Sequence, residues 1–103
     1  MDSFVNAAKV GELAPGDMKL VDVGENEAVL INVDGDLYAI SDLCTHRDCP
    51  LSEGSLEGDV IECGCHGSRF NVRTGAVEEG PATEAVPVYI VKIEGGDILV
   101  GPA

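Results

Sequence analysis

Along most of this chain apolar residues alternate with polar ones or gather in short unbroken runs, and nothing keeps helical periodicity for more than a turn. Phe4-Val-Asn-Ala-Ala-Lys-Val10 alternates loosely and predicts a first strand. Pro15-Gly16-Asp17 predicts a turn, since proline presets φ and glycine tolerates positive φ. Met18–Val23 and Ala28–Val33, rich in Val, Leu and Ile, predict two more strands. Asp34-Gly35, set between Val33 and Asp36–Ile40, predicts a type I′ hairpin. At Ser41 the pattern breaks, and the chain turns polar and rich in Gly, Pro and Cys. Only Asp59-Val-Ile-Glu62 in that stretch reads as a strand. The β pattern returns at Ala85–Ile93, where Pro87 suits an edge position or the start of the strand. Glu94-Gly-Gly-Asp97 then turns the chain into a last strand, Ile98–Val100. The expectation is one all-β domain, residues 1–103, with a loop-rich subdomain at about 42–83 inserted in its middle.

Composition agrees with this and narrows the partners. Thirteen glycines and five prolines in 103 residues imply many turns. No apolar run is long enough to span a bilayer, and Met1-Asp2-Ser3-Phe4 has no basic flank or apolar signal core. A cytoplasmic, soluble protein is expected. Nineteen acids against six bases leave a net charge of −13. Phosphate backbones and anionic membrane surfaces would repel such a chain, so neither nucleic acid nor membrane is an expected partner. Basic docking surfaces on larger proteins would attract it, although surface acids also serve solubility alone.

The chemistry is concentrated in Cys44–Phe70, CTHRDCPLSEGSLEGDVIECGCHGSRF. This segment holds all four cysteines, Cys44, Cys49, Cys63 and Cys65, and both histidines, His46 and His66. Cys44-x-His46 and Cys63-x-x-His66 are two short chelating loops, each offering a thiolate and an imidazole. Two such pairs can hold zinc tetrahedrally. The single residue between Cys44 and His46 is shorter than the spacing usual in structural zinc loops. It suits a pair fanned around one iron of a cluster whose second iron takes the other pair.

These two motifs together resemble the Rieske iron–sulfur family. The likeness continues through Leu51-Ser-Glu-Gly54, His66-Gly-Ser-Arg-Phe70, Thr74-Gly75 and Gly80-Pro-Ala82, and so covers nearly the whole chain. It implies an antiparallel β-sandwich scaffold carrying one [2Fe–2S] cluster, with Cys44 and Cys63 on one iron and His46 and His66 on the other. Two ferric ions, two sulfides and two thiolates sum to zero charge, whereas four thiolates leave a dianion. Family potentials accordingly run from about −150 to +300 mV, against about −400 mV for plant-type ferredoxins. High-potential members place a Ser and a Tyr after the second motif, whose hydroxyls donate to sulfur. Here Ser68 keeps one donor and Phe70 lacks the other, which implies a potential below the respiratory type; plain packing under the loop would account for Phe70 equally.

Cys49 and Cys65 stand where high-potential members carry a disulfide between the cluster loops. The resemblance therefore implies a Cys49–Cys65 bond, with two free thiols as the alternative. Pro81 matches a proline loop that covers the cluster, or else serves as a turn back to the scaffold. Arg47 and Arg69, inside the ligand loops, either meet a partner or offset local acids. No nucleophile or base accompanies the site, so an electron carrier is expected rather than an enzyme. The resemblance implies a monomeric ferredoxin that takes electrons from an NAD(P)H-dependent flavin reductase to a terminal aromatic-ring-hydroxylating dioxygenase. A soluble high-potential Rieske protein of another redox chain, a nitrite reductase small subunit and a structural zinc module are the other readings.

Overall fold

A computed structural model describes residues 4–23, 26–42, 49–65, 67–80 and 82–101. Cys44, His46, Arg47, His66 and Pro81 lie outside the described residues. Among the described residues ten strands occur in chain order: β1 Val5–Lys9, β2 Met18–Val23, β3 Asn26–Val33, β4 Asp36–Ser41, β5 Ser55–Glu57, β6 Val60–Glu62, β7 Arg69–Asn71, β8 Val77–Glu79, β9 Val88–Glu94 and β10 Asp97–Gly101. A 3₁₀ turn, Leu51–Glu53, precedes β5. Two antiparallel sheets result, one ordered β1-β10-β9-β4-β3-β2 and the other β5-β6-β7-β8.

The larger sheet is the scaffold, and its central strand shows why the pattern there is an unbroken apolar run. Ala28 and Leu30 of β3 face one buried cluster with Val21, Ala39, Ile98 and Val100. Val29, Ile31 and Val33, the alternate residues, face a second cluster with Ile40. A strand covered on both faces has no polar side to present. Asp34 and Gly35 take φ of 51° and 98°, the two positive values that a type I′ turn requires. At the outer strands, the Lys19 ammonium of β2 donates to the Ala7 carbonyl of β1 (3.0 Å) and to Glu12 (2.7 Å). This bridge satisfies an edge carbonyl that would otherwise be open to pairing with another chain.

The smaller sheet corrects the expectation that 42–83 holds one strand. Four three-residue strands form there, and their register explains them. Leu56, Ile61, Phe70 and Val77 lie opposite one another across the four strands. Ile61 and Phe70 belong to the second buried cluster, shared with Val29, Ile31 and Val33 of the scaffold, and half-buried Leu56 and Val77 pack against it. The outward row is Ser55, Glu62, Arg69 and Glu79, where Arg69 pairs with Glu62 at 2.9 Å. Each strand thus contributes one inward residue, too few for alternation to stand out in sequence. At the β5–β6 and β7–β8 turns, the Arg73 guanidinium stacks 5.1 Å from the Tyr38 ring and pairs with Asp59, tying the small sheet to β4.

Candidate metal centre

Three connections of the small sheet converge at one end, and each is held by named bonds. The first spans the segment between β4 and the 3₁₀ turn. Asp42, 3% exposed, accepts the Leu51 N–H on its main-chain carbonyl and the Ser52 N–H on Oδ1 at 2.8 Å. Its own N–H donates to the Glu27 carbonyl at 3.1 Å. One buried acid thereby pins both ends of the segment that contains Cys44 and His46. The second connection is the β6–β7 turn, in which Cys63 donates its N–H to the Ser68 carbonyl (2.8 Å) and accepts the Gly67 N–H (3.1 Å). The third follows β8, where the Ala82 N–H donates to Ser68 Oγ at 3.1 Å. Ser68 and Ala82 are both buried. The Ser68 hydroxyl accepts that bond and keeps its own hydrogen to donate elsewhere.

The motif glycines have physical reasons here. A Cβ on Gly54 would collide with the Glu62 carbonyl oxygen, because the first connection rests directly on the β6 backbone. At Gly75, φ is +78° and a Cβ would strike the Val86 carbonyl oxygen, so the β7–β8 turn can seat the strand that returns to the scaffold. Sequence reasoning missed Asp42 altogether. Its partner Ser52 is ten residues away, beyond the reach of any local capping signal.

Besides Ser68, five of the positions singled out in the sequence lie among the described residues. Cys63, 1% exposed, carries no disulfide and packs in the cluster of Leu51, Ile61 and Phe70. Cys49 and Cys65 are joined by a disulfide that links the first and second connections, with Cα atoms 6.4 Å apart. The sulfurs of Cys49, Cys63 and Cys65 all lie within 4.8 Å of one another. Phe70 is fully buried in the interior between the sheets. Arg69 serves local acids: its Nη2 lies 2.9 Å from Glu62 and its Nη1 3.9 Å from Glu57. The hydrogen bond that Arg69 donates to Glu62 raises the Arg69 pKa above its already high ordinary value.

The donor chemistry fits an iron–sulfur group. A buried thiol free of any disulfide, next to a loop clamp and in the same turn as a buried hydroxyl with a proton to give, suits a thiolate ligand with a hydrogen-bonded surround. A small antiparallel β protein that presents such a thiol at the meeting point of two clamped loops is of the iron–sulfur electron-transfer class. The chain belongs to the Rieske [2Fe–2S] domain family, whose model matches residues 3–90, and its cofactor is that cluster.

Relatives refine the picture. The chain is 43% identical over 99 residues to the biphenyl dioxygenase ferredoxin subunit of Pseudomonas sp. (strain KKS102), covering 95% of this chain and 91% of that protein. It superimposes with a TM-score of 0.92 on the ferredoxin of carbazole 1,9a-dioxygenase from Nocardioides aromaticivorans IC177, at 36% identity, covering 98% and 99% of the two chains. A TM-score of 0.92 and 36% identity also relate it to a chain in a complex of reduced oxygenase and oxidized ferredoxin in carbazole 1,9a-dioxygenase, covering 96% and 93%.

Proposed function

We propose that this chain is a one-electron carrier that passes electrons from an NAD(P)H-dependent flavin reductase to a terminal aromatic-ring-hydroxylating dioxygenase. The observation that carries the reading is its coverage of nearly the full length of stand-alone ferredoxin components, 91% of one and 99% of another. A carrier needs a redox group and two docking encounters, and no pocket for the aromatic substrate. In this reading Cys44 and Cys63 hold one iron and His46 and His66 the other, on a single domain with its cluster subdomain at about 42–83. The bound cluster supplies one-electron redox chemistry at neutral net charge in its oxidised state.

The chain's own residues do the rest. Asp42 and the Cys49–Cys65 bond fix the first ligand loop against the second. Ser68 ties the segment around Pro81 to the second loop and offers its hydroxyl proton toward sulfur, which raises the potential. Phe70 offers none. The net charge of −13 favours encounter with basic partner surfaces and makes the association rate fall with salt. The cytoplasm, where NAD(P)H is available, is the proposed compartment. Reconstitution tests this directly. Purified protein, added to a flavin reductase of a biphenyl-type system with NADH and the matching oxygenase, should restore substrate-dependent oxygen uptake that the other two components lack. Failure to accept electrons from any such reductase would defeat the reading. The Cys49–Cys65 bond favours a second reading, a high-potential Rieske protein of another chain; it predicts a midpoint near the top of the family range.

A further inference from the structure

Cys63 lies beside a ready electrophile. Its Sγ and the bonded sulfurs of Cys49 and Cys65 are all within 4.8 Å of one another, and among the described residues it is the cysteine without a disulfide. Thiolates break disulfides by direct attack on one sulfur, and the reaction needs only proximity and a thiolate. A ligand thiolate is engaged with iron while the cluster is bound and is released when the cluster is lost.

We propose that Cys63, once freed of iron, exchanges with the Cys49–Cys65 disulfide, so that the apoprotein locks away one of its own ligand sulfurs. Cys63 Sγ, as thiolate, bonds to Cys49 Sγ; the Cys49–Cys65 bond breaks, and its electron pair leaves with Cys65 Sγ, which takes up a proton from water. One disulfide is lost and one is made, so no oxidant is consumed. Burial sets the direction. The free sulfur moves from Cys63, 1% exposed, to Cys65, which is exposed and solvated. Attack on Cys65 instead would free half-buried Cys49, a poorer place for the displaced thiolate. The Cys49–Cys63 product still joins the two loops, but it cannot bind iron through Cys63 until a reductant opens it. Both the trigger of the exchange and this consequence rest on Cys63 being a cluster ligand, as proposed above.

The test starts from brown holoprotein. Iron is stripped by a chelator under anaerobic conditions without reductant, free thiols are trapped with N-ethylmaleimide in denaturant, and disulfides are mapped by peptide mass. Holoprotein should show Cys49–Cys65. Stripped protein should show Cys49–Cys63, with the label on Cys65, and should reload iron and sulfide only after treatment with dithiothreitol. Stripped protein that keeps Cys49–Cys65 with Cys63 labelled overturns the proposal. Holoprotein with both Cys49 and Cys65 labelled also overturns it, since there is then no bond to exchange. Starting protein without the brown chromophore is a different failure, that of the cluster assignment.

Discussion

The two sheets of this molecule are stabilised by different means. The scaffold relies on strands of five to eight residues that bury apolar side chains on one or both faces. The small sheet has strands of three residues and one inward row, Leu56, Ile61, Phe70 and Val77. It has no interior of its own, because that row packs on Val29, Ile31 and Val33 of the scaffold. What the small sheet lacks in apolar area it replaces with point tethers: the Asp42 bonds, the Cys49–Cys65 disulfide, the Ser68–Ala82 bond and the Arg73–Tyr38 stack. Extended packing makes a platform, and discrete tethers hold the loops that would carry the proposed ligands against it.

Core truncations on either side should break that comparison most visibly. Phe70→Ala removes the largest fully buried side chain, and Leu30→Ala removes a buried residue of the scaffold's other face. Each should cost about 2–5 kcal/mol in urea unfolding. Only Phe70→Ala should also hasten loss of visible absorbance under native conditions, because only it empties the interior beneath Cys63. Equal bleaching rates in the two variants would show that the sheets are not separable in this way.

Removing the disulfide by Cys49→Ser with Cys65→Ser should cost roughly 3 kcal/mol for a closed loop of this size in the chain-entropy model. Ellman titration of unfolded, unreduced wild type should leave this pair unreactive after allowing for ligand thiols. A smaller loss is expected from Ser68→Ala, which strands the buried Ala82 N–H without its acceptor, about 1–3 kcal/mol. Hydrogen exchange at the Ala82 amide should accelerate while amides in β3 stay protected, and the reduction midpoint should fall with the lost hydroxyl.

The smallest effect belongs to the scaffold rim. The hydrogen bond from Lys19 holds the Glu12 carboxyl below its ordinary pKa, helped by the Lys9 N–H. A carboxyl whose pKa is lowered by folding stabilises the fold above its unfolded value and loses that contribution as pH falls through the folded value. Glu12→Gln should therefore melt slightly below wild type at neutral pH and match it in acid. Added salt should shrink the difference.

The same contrast decides what could be read from the amino-acid order. Scaffold strands were legible because periodicity over six residues, as in Met18–Val23, outweighs chance, and Asp34-Gly35 marks its turn unaided. β5, β7 and β8 were not, since three residues with one inward side chain carry too little pattern. Cys63 stands out through motif spacing, a property of the chemistry rather than of the fold, and Ser68 only through the family resemblance. Asp42 and the Arg73–Tyr38 stack join residues ten and 35 positions apart and become visible only in three dimensions.

Redox titration of purified holoprotein, followed by its visible spectrum, bears most directly on the assignment of a neutral, mixed-ligand cluster with one hydroxyl donor. A reversible one-electron midpoint within about −150 to +300 mV and below the top of that range is the predicted result. A midpoint near −400 mV, or a colourless protein carrying stoichiometric zinc, would contradict it.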